Sequence, residues 1–216
     1  DSTNVIAPEI SVITNVTLEH TDRCGGTVAE IAAHKAGIIK TGAPVVTGAT
    51  GEALTVIEAA AARQKVPCIV LNRDFFVSEV QSNETGQAFV FNTPQTAAQH
   101  YCMGLIGRHQ SDNAALAIRT CQYLAKNEPR LTAAAIQSGV AEARWPGRFE
   151  IFPGAPTVIL DGAHNPDGVR TLRHTLDAVY PGRAIVFLFG VLADKDHGEM
   201  ARRLFHPSDR AIVVEP

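Results

Sequence analysis

Short β-branched apolar runs alternate with amphipathic stretches along this chain, and that alternation constrains its fold more than any other feature. "EISVITNV" (9–16) reads as a buried strand, "TVAEIAAHKAGIIK" (27–40) as a short helix and "APVVTG" (43–48) as a second strand. "EALTVIEAAAARQK" (52–65) has helical spacing, and "VPCIVLN" (66–72) is a third apolar run. Strands joined by crossover helices pair in parallel, so an α/β sheet is expected. "FFVSEVQSNETGQAFVFN" (75–92) departs from this pattern: two alternating runs flank Glu84-Thr85-Gly86, which predicts an antiparallel hairpin. Two helices follow, "DNAALAIRTCQYLAK" (112–126) and "TAAAIQSGVAEA" (132–143). "RWPGR" (144–148) is a Trp-Pro-Gly break suited to a hinge between domains. Beyond it the alternation resumes as βαβαβ from "TVILD" (157–161) to "AIVVEP" (211–216), the opening of a doubly wound domain that this stretch is too short to finish.

Composition narrows the function classes. The 216 residues are 45% hydrophobic and 19% charged, an ordinary globular balance with room for one large or two small domains. A net charge of −3 lacks the basic footprint of a nucleic-acid binder. No apolar run approaches the roughly 20 residues of a membrane helix, and "DSTNVIAPEI" has neither the basic nor the apolar region of a signal peptide. Cys24, Cys68, Cys102 and Cys121 are scattered without a CxxC pair, so free thiols in a cytoplasmic protein are expected rather than a zinc site. No GxxxxGK[ST], GxGxxG or GxSxG is present.

Several residues could carry chemistry, each with a plainer alternative. Thr27 and Glu30 form a capping-box pattern and Gly37 can close the helix, whose spacing puts Lys35 on the apolar stripe with Val28, Ile31 and Ala32. Lys35 is then either a helix-end cation with a snorkelling stem or a site residue. Glu19, His20 and Asp22 follow the first strand, where open α/β sheets bind ligands; the cluster suits a divalent ion or a polar surface loop. Asp161 ends a strand, and Asn165-Pro166 caps the next helix. Asp161 and His164 therefore sit at a strand–loop–helix mouth that could take a nucleotide sugar or phosphate, or they simply order the turn. Arg148 at the hinge could reach a phosphate or face solvent. "GRHQSDNAALAI" places His109, Gln110 and Asn113 at a helix start, where Asn113 could read a base edge or cap the first turn.

In order along the chain, "DSTNV", "TNVTLEHTD", "AAHKAGIIK", "GRHQSDNA", "WPGR", "DGAHNP" and "GVLADKD" resemble the folylpolyglutamate synthase/dihydrofolate synthase family of the Mur-ligase superfamily. The resemblance implies part of a central ATP-binding ligase domain over 1–147, with a parallel sheet, helices and a small antiparallel hairpin region. An incomplete Rossmann-like C-terminal domain would follow over 148–216. It implies an ATP-dependent amide ligase that converts a carboxylate of dihydropteroate or a folate to an acyl phosphate, which L-glutamate attacks. Carried over by motif, His20 would bind magnesium (Mg2+), and Lys35 would be the lysine that family members carry as a carbamate. Asn113 would contact adenine, Arg148 the ATP phosphates and Asp161 the ribose, with His164 beside it as a catalytic-cleft residue and Asp1 near the pterin. Asp194, Lys195 and Asp196 match a motif with no role beyond loop structure.

Two departures stand out. Glu19 replaces the usual Asp beside the His, and the family's P-loop and magnesium-binding glutamate would precede Asp1. The chain is therefore expected to be a fragment that does not turn over ATP alone, from a monomeric, cytoplasmic parent with neither membrane nor nucleic-acid partners. The rivals are a Mur-type ligase of cell-wall precursors, a non-catalytic nucleotide-binding relic and a metal-dependent hydrolase built on His20, Asp22 and His164.

Overall fold

The computed structural model describes residues 2–18 and 25–215, so Asp1, Glu19, His20, Asp22 and Cys24 lie outside the described residues. Two compact units divide the chain. The first takes in Asp1–Val80, Phe89–Tyr101 and Ser111–Ala141; the second takes in Gln81–Ala88, Cys102–Gln110 and Glu142–Pro216.

In the first unit, β1 (Ser11–Ile13), β2 (Val45–Thr47) and β3 (Cys68–Val70) form a parallel sheet in that order, with Ser11 opposite Val45 and Val45 opposite Cys68. Helices α1 (Val28–Ala36) and α2 (Gly51–Gln64) are the crossovers. A parallel strand covered on both faces reads as a continuous apolar run, and every residue of β2 is buried. Ile13, Ile31, Ala32, Ala36, Val45, Ala53 and Ile57 belong to one core cluster. Helix α1 starts as expected: Thr27 Oγ1 accepts from Glu30 N–H (3.2 Å) and Glu30 Oε2 accepts from Thr27 N–H (3.1 Å). Gly37 closes it in a right-handed conformation, so positive φ is not what requires glycine; a Cβ there would stand 2.7 Å from Asn4 Nδ2.

The expectation for the Lys35 side chain is corrected. Burial in α1 runs through Ile31, Ala32 and Ala36, while Lys35 in the last turn is exposed. An unpaired ammonium costs several kcal/mol to strip of water, so the helix presents it to solvent. Lys35 thus stands as a cation in the last turn, and beyond the helix Lys40 Nζ donates to Gly37 O (2.7 Å).

The predicted hairpin forms as β4 (Phe76–Asn83) and β5 (Gly86–Thr93), and a third strand, β6 (Thr96–Met103), completes the sheet order β4-β5-β6. Two-residue connections allow only antiparallel neighbours. Phe89 and Tyr101 stack at 5.6 Å between centroids, and Phe75 packs 6.0 Å from Phe91. Helix α3 (Arg108–Leu124) begins four residues before the expected start, and α4 is Ala133–Glu142.

In the second unit, β7 (Glu150–Phe152) pairs antiparallel with β8 (Val158–Leu160), Glu150 opposite Leu160. Helix α5 (Pro166–Val179), β9 (Val186–Phe189), α6 (His197–Leu204) and β10 (Arg210–Val213) follow, with β10 parallel to β9. The strand–helix alternation is as read from the sequence; β7 was not anticipated. One apolar cluster gathers Ile106, Phe149, Leu176 and Tyr180, and another Val169, Met200 and Leu204. Between α5 and the start of β10, the buried Arg173 guanidinium meets Asp209 at 3.0 Å.

Candidate functional site

On the first unit, the carboxyl ends of β1 and β2 are tied together. Thr47, fully buried, donates through Oγ1 to Ile13 O (2.8 Å) and accepts from Ala49 N–H (3.0 Å), and Gly48 N–H donates to the same Ile13 O (3.2 Å). A Cβ on Gly48 would stand 2.5 Å from Thr14 O, so only glycine permits this approach. The loop with His20 leaves from this end, and His20 and Asp1 lie outside the described residues. Asn113 falls in the second turn of α3 and is exposed, which removes the first-turn capping alternative. The first turn of α3, which belongs to the second unit, is closed by Gln110 N–H on Gly107 O (2.9 Å).

On the second unit, the β7–β8 pairing brings the Trp-Pro-Gly turn against the end of β8. Gly147 O accepts from Gly162 N–H (2.8 Å), and Gly147 N–H donates to Glu150 Oε2 (2.8 Å). Asp161 joins the two segments: Oδ2 accepts from Phe149 N–H (2.8 Å) and Oδ1 from Ala163 N–H (2.9 Å). The turn-ordering role foreseen for Asp161 is therefore real, and it holds the buried Phe149 at φ +48°, a left-handed conformation. A carboxylate oxygen accepts more than one hydrogen bond, so this does not exhaust its capacity. The Arg148 side chain is exposed on the same turn, with Nη1 3.7 Å from where a Gly162 Cβ would stand. An exposed cation thus lies beside an anchored carboxylate.

His164 is exposed in the next loop, and its Nδ1 lies 2.9 Å from Gly162 O. A carbonyl only accepts, so Nδ1 carries the proton and, in the neutral ring, Nε2 is an acceptor. Asn165 Oδ1 accepts from Gly168 N–H (2.7 Å) and Pro166 opens α5, as the sequence predicts. The Asp194 carboxyl is held below its ordinary range, first by the Lys195 ammonium at 2.7 Å and to a smaller degree by His164. The loops after β8 and β9 each leave the carboxyl end of a strand, β8 in the sheet with β7 and β9 in the sheet with β10. Asp196 caps α6 by accepting from Glu199 N–H (2.9 Å). Its spacing to Glu199 is the signal that could have assigned it.

Among the described residues no group of three or more His, Cys, Asp or Glu side chains is arranged to hold a metal ion. No described helix is long and apolar enough to cross a membrane. Cys68, Cys102 and Cys121 are free thiols; burial, then the Glu58 carboxylate, pushes Cys68 up to about 11.

The Mur ligase middle domain matches residues 1–121, and the Mur ligase glutamate ligase domain matches residues 147–216. The chain belongs to the Mur ligase family. This Mur ligase chain is 40% identical over 206 residues to the folylpolyglutamate synthase of Lacticaseibacillus casei, covering 94% of this chain and 48% of the relative. It is 39% identical over 206 residues to the dihydrofolate synthase/folylpolyglutamate synthase of Bacillus subtilis, again over 94% and 48%. A solved FPGS–AMPPCP–folate complex superposes with a TM-score of 0.87 at 40% identity, over 94% of this chain and 50% of that one. The chain spans about half the length of the curated relatives it matches.

Proposed function

We propose that the protein to which this Mur ligase chain belongs is an ATP-dependent amide ligase. It adds L-glutamate to dihydropteroate, to the γ-carboxylate of a folate, or to both. The supporting observation is the joint similarity of both Mur ligase domains to folate-named ligases, one of them solved with AMPPCP and folate. In this reading residues 1–147 belong to the central ATP-binding domain and 148–216 to the glutamate ligase domain.

Arg148 binds the ATP phosphates: its guanidinium is exposed and backed by a turn fixed through Gly147 and Asp161, so it meets an anion with little reorganisation. Asp161 accepts from a ribose hydroxyl with the lone pairs its two backbone donors leave. His164 offers Nε2 at the same loop, while Asn113 reads the adenine edge and Asp1 contacts the pterin. Transfer of the γ-phosphoryl group makes the acceptor carboxylate an acyl phosphate; the glutamate amine attacks it, and phosphate leaves as the amide forms. We assign Mg2+ to His20 and to Lys35 as a carbamate, which would neutralise charge on the phosphates. Exposure of Lys35 leaves its Nζ open to carbon dioxide, and a carbamate supplies the anionic oxygen that a bare ammonium lacks. The form we assign is a cytoplasmic monomer.

The test is ATP- and glutamate-dependent product formation by the full-length protein with dihydropteroate, tetrahydrofolate and a UDP-muramoyl acceptor. Amide formation on a folate acceptor, reduced at least about 100-fold by Arg148→Ala, supports the reading. Activity only on the muramoyl acceptor moves the protein to cell-wall synthesis. Activity on none leaves a nucleotide-binding relic. Lys35→Ala is expected to be inactive and restored by a short-chain carboxylate; failure of that rescue in a folded variant removes the carbamate.

A further inference from the structure

Helix α3 begins on a residue with no side chain to cap it. Gly107 occupies the N-cap position, where Ser, Thr, Asp or Asn would normally satisfy a free helix donor. Glycine is required there for two separate reasons. Its φ is +116°, and a Cβ would stand 2.6 Å from His109 Cε1 and 2.9 Å from Thr175 Oγ1 of α5. The position is instead secured from twenty residues away in sequence. Gln87, 5% exposed near the start of β5, donates through Nε2 to Gly107 O (3.0 Å) and accepts through Oε1 from Gly107 N–H (3.2 Å). Ser82 Oγ on β4 donates to the same Oε1 (3.0 Å), which fixes the amide's orientation.

One buried side chain therefore holds both backbone groups of a helix N-cap, and Gly107 O also receives the first helical bond from Gln110. We infer that Gln87 is a positioning residue for nucleotide recognition. By clamping the N-cap it sets where α3 starts, and hence the placement of Asn113, six residues on and about 9 Å along the helix. Asn113 reads a base edge through two hydrogen bonds at most, and such a contact is sensitive to sub-ångström displacement. Tripolyphosphate has no base edge, so a change confined to Asn113 leaves its binding as it was. The clamp thus sharpens discrimination among purine triphosphates more than it raises overall affinity.

This inference rests on the adenine contact proposed for Asn113, and the experiment separates the two. AMPPCP and GMPPCP binding is measured by calorimetry on the full-length protein, with thermal unfolding recorded for each variant. Gln87→Leu keeps an apolar side chain one bond shorter in the buried site and removes both bonds; Ser82→Ala removes only the third bond and is the milder variant. Both are expected to lower the AMPPCP-over-GMPPCP preference, Gln87→Leu by about tenfold and Ser82→Ala by about twofold, while affinity for tripolyphosphate stays unchanged. Asn113→Ala lowers the same preference. If Asn113→Ala does so while Ser82→Ala and a folded Gln87→Leu keep the wild-type preference, Gln87 is merely structural and the inference is overturned. If Asn113→Ala itself leaves the preference intact, the adenine assignment fails and takes the positioning role with it.

Discussion

Strands β2 and β10 are both short, parallel and rich in β-branched residues, yet one is wholly buried and the other wholly exposed. β2 lies between β1 and β3, and its neighbours α1 and α2 contribute to the same core cluster. β10 pairs with β9 alone among the described residues, and the helix-facing aromatics Phe187 and Phe189 of β9 pack on Phe205. The opposite set, Val186, Leu188 and Ile212, remains in solvent, Leu188 with 73% of its surface exposed. The apolar character of a strand therefore states a capacity for burial, and the neighbours on each face decide how much is used.

That contrast can be broken by mutation. The largest effect is expected at Asp209→Ala, which leaves the buried Arg173 guanidinium with the half-exposed Asp177 as its remaining carboxylate and strips Ile185 N–H and His206 N–H of their acceptor, at a cost of about 3–5 kcal/mol. Urea unfolding, with hydrogen exchange read over β9, would measure it. The Asp209 carboxyl also carries a pH dependence. Burial pushes its pKa up, but hydrogen bonds from His206 and Ile185 N–H and the Arg173 charge outweigh this and hold it below the ordinary aspartate value. The folded state then binds fewer protons at this group than the unfolded chain. Its contribution is complete above the ordinary value and is lost as pH falls through the lower folded value. Asp209→Ala should lose this part of the acid dependence, and an unchanged acid limb would show that other carboxylates carry it.

Ile31→Ala comes next. Ile31 is 1% exposed in α1, and its loss leaves a cavity worth about 3 kcal/mol in the first unit. Thr27→Ala, which removes the N-cap bond of the same helix, is expected to cost about 1 kcal/mol by thermal unfolding. Leu188→Ala on the open face of β9 should stay within about 0.5 kcal/mol. A loss at Leu188 as large as that at Ile31 would mean the β9 face is covered in solution, and would erase the difference between the units.

What could be read in advance was local. The Thr27–Glu30 box, the Asn165-Pro166 start of α5 and the Glu84-Thr85 turn each need only residues within a few positions of one another, and all three are present. β6 was missed because its Ala97, Ala98, Gln99 and His100 run shows no alternation; its pairing follows from the backbone of β5. β7 was missed because Glu150–Phe152 is three residues long and exists through its partner β8. The early start of α3 was hidden because Arg108, His109 and Gln110 have no apolar period, and the capping comes from Gln87. At the candidate site, motif spacing placed Asp161 and His164 on the loop after β8. It did not reveal that both carboxylate oxygens of Asp161 already hold backbone donors.

The sequence by itself determined the succession of elements, their caps and turns, and the membership of both segments in one ligase family, because these depend on short-range periodicity and on motifs in order. Tertiary structure alone decided that Lys35 faces water while Ile31 and Ala32 do not. It also decided that Gln87 reaches Gly107, and that among the described residues β10 is exposed where β2 is sealed. Each of those outcomes depends on which distant groups arrive to exclude water or to satisfy a donor, and no local pattern encodes that arrival.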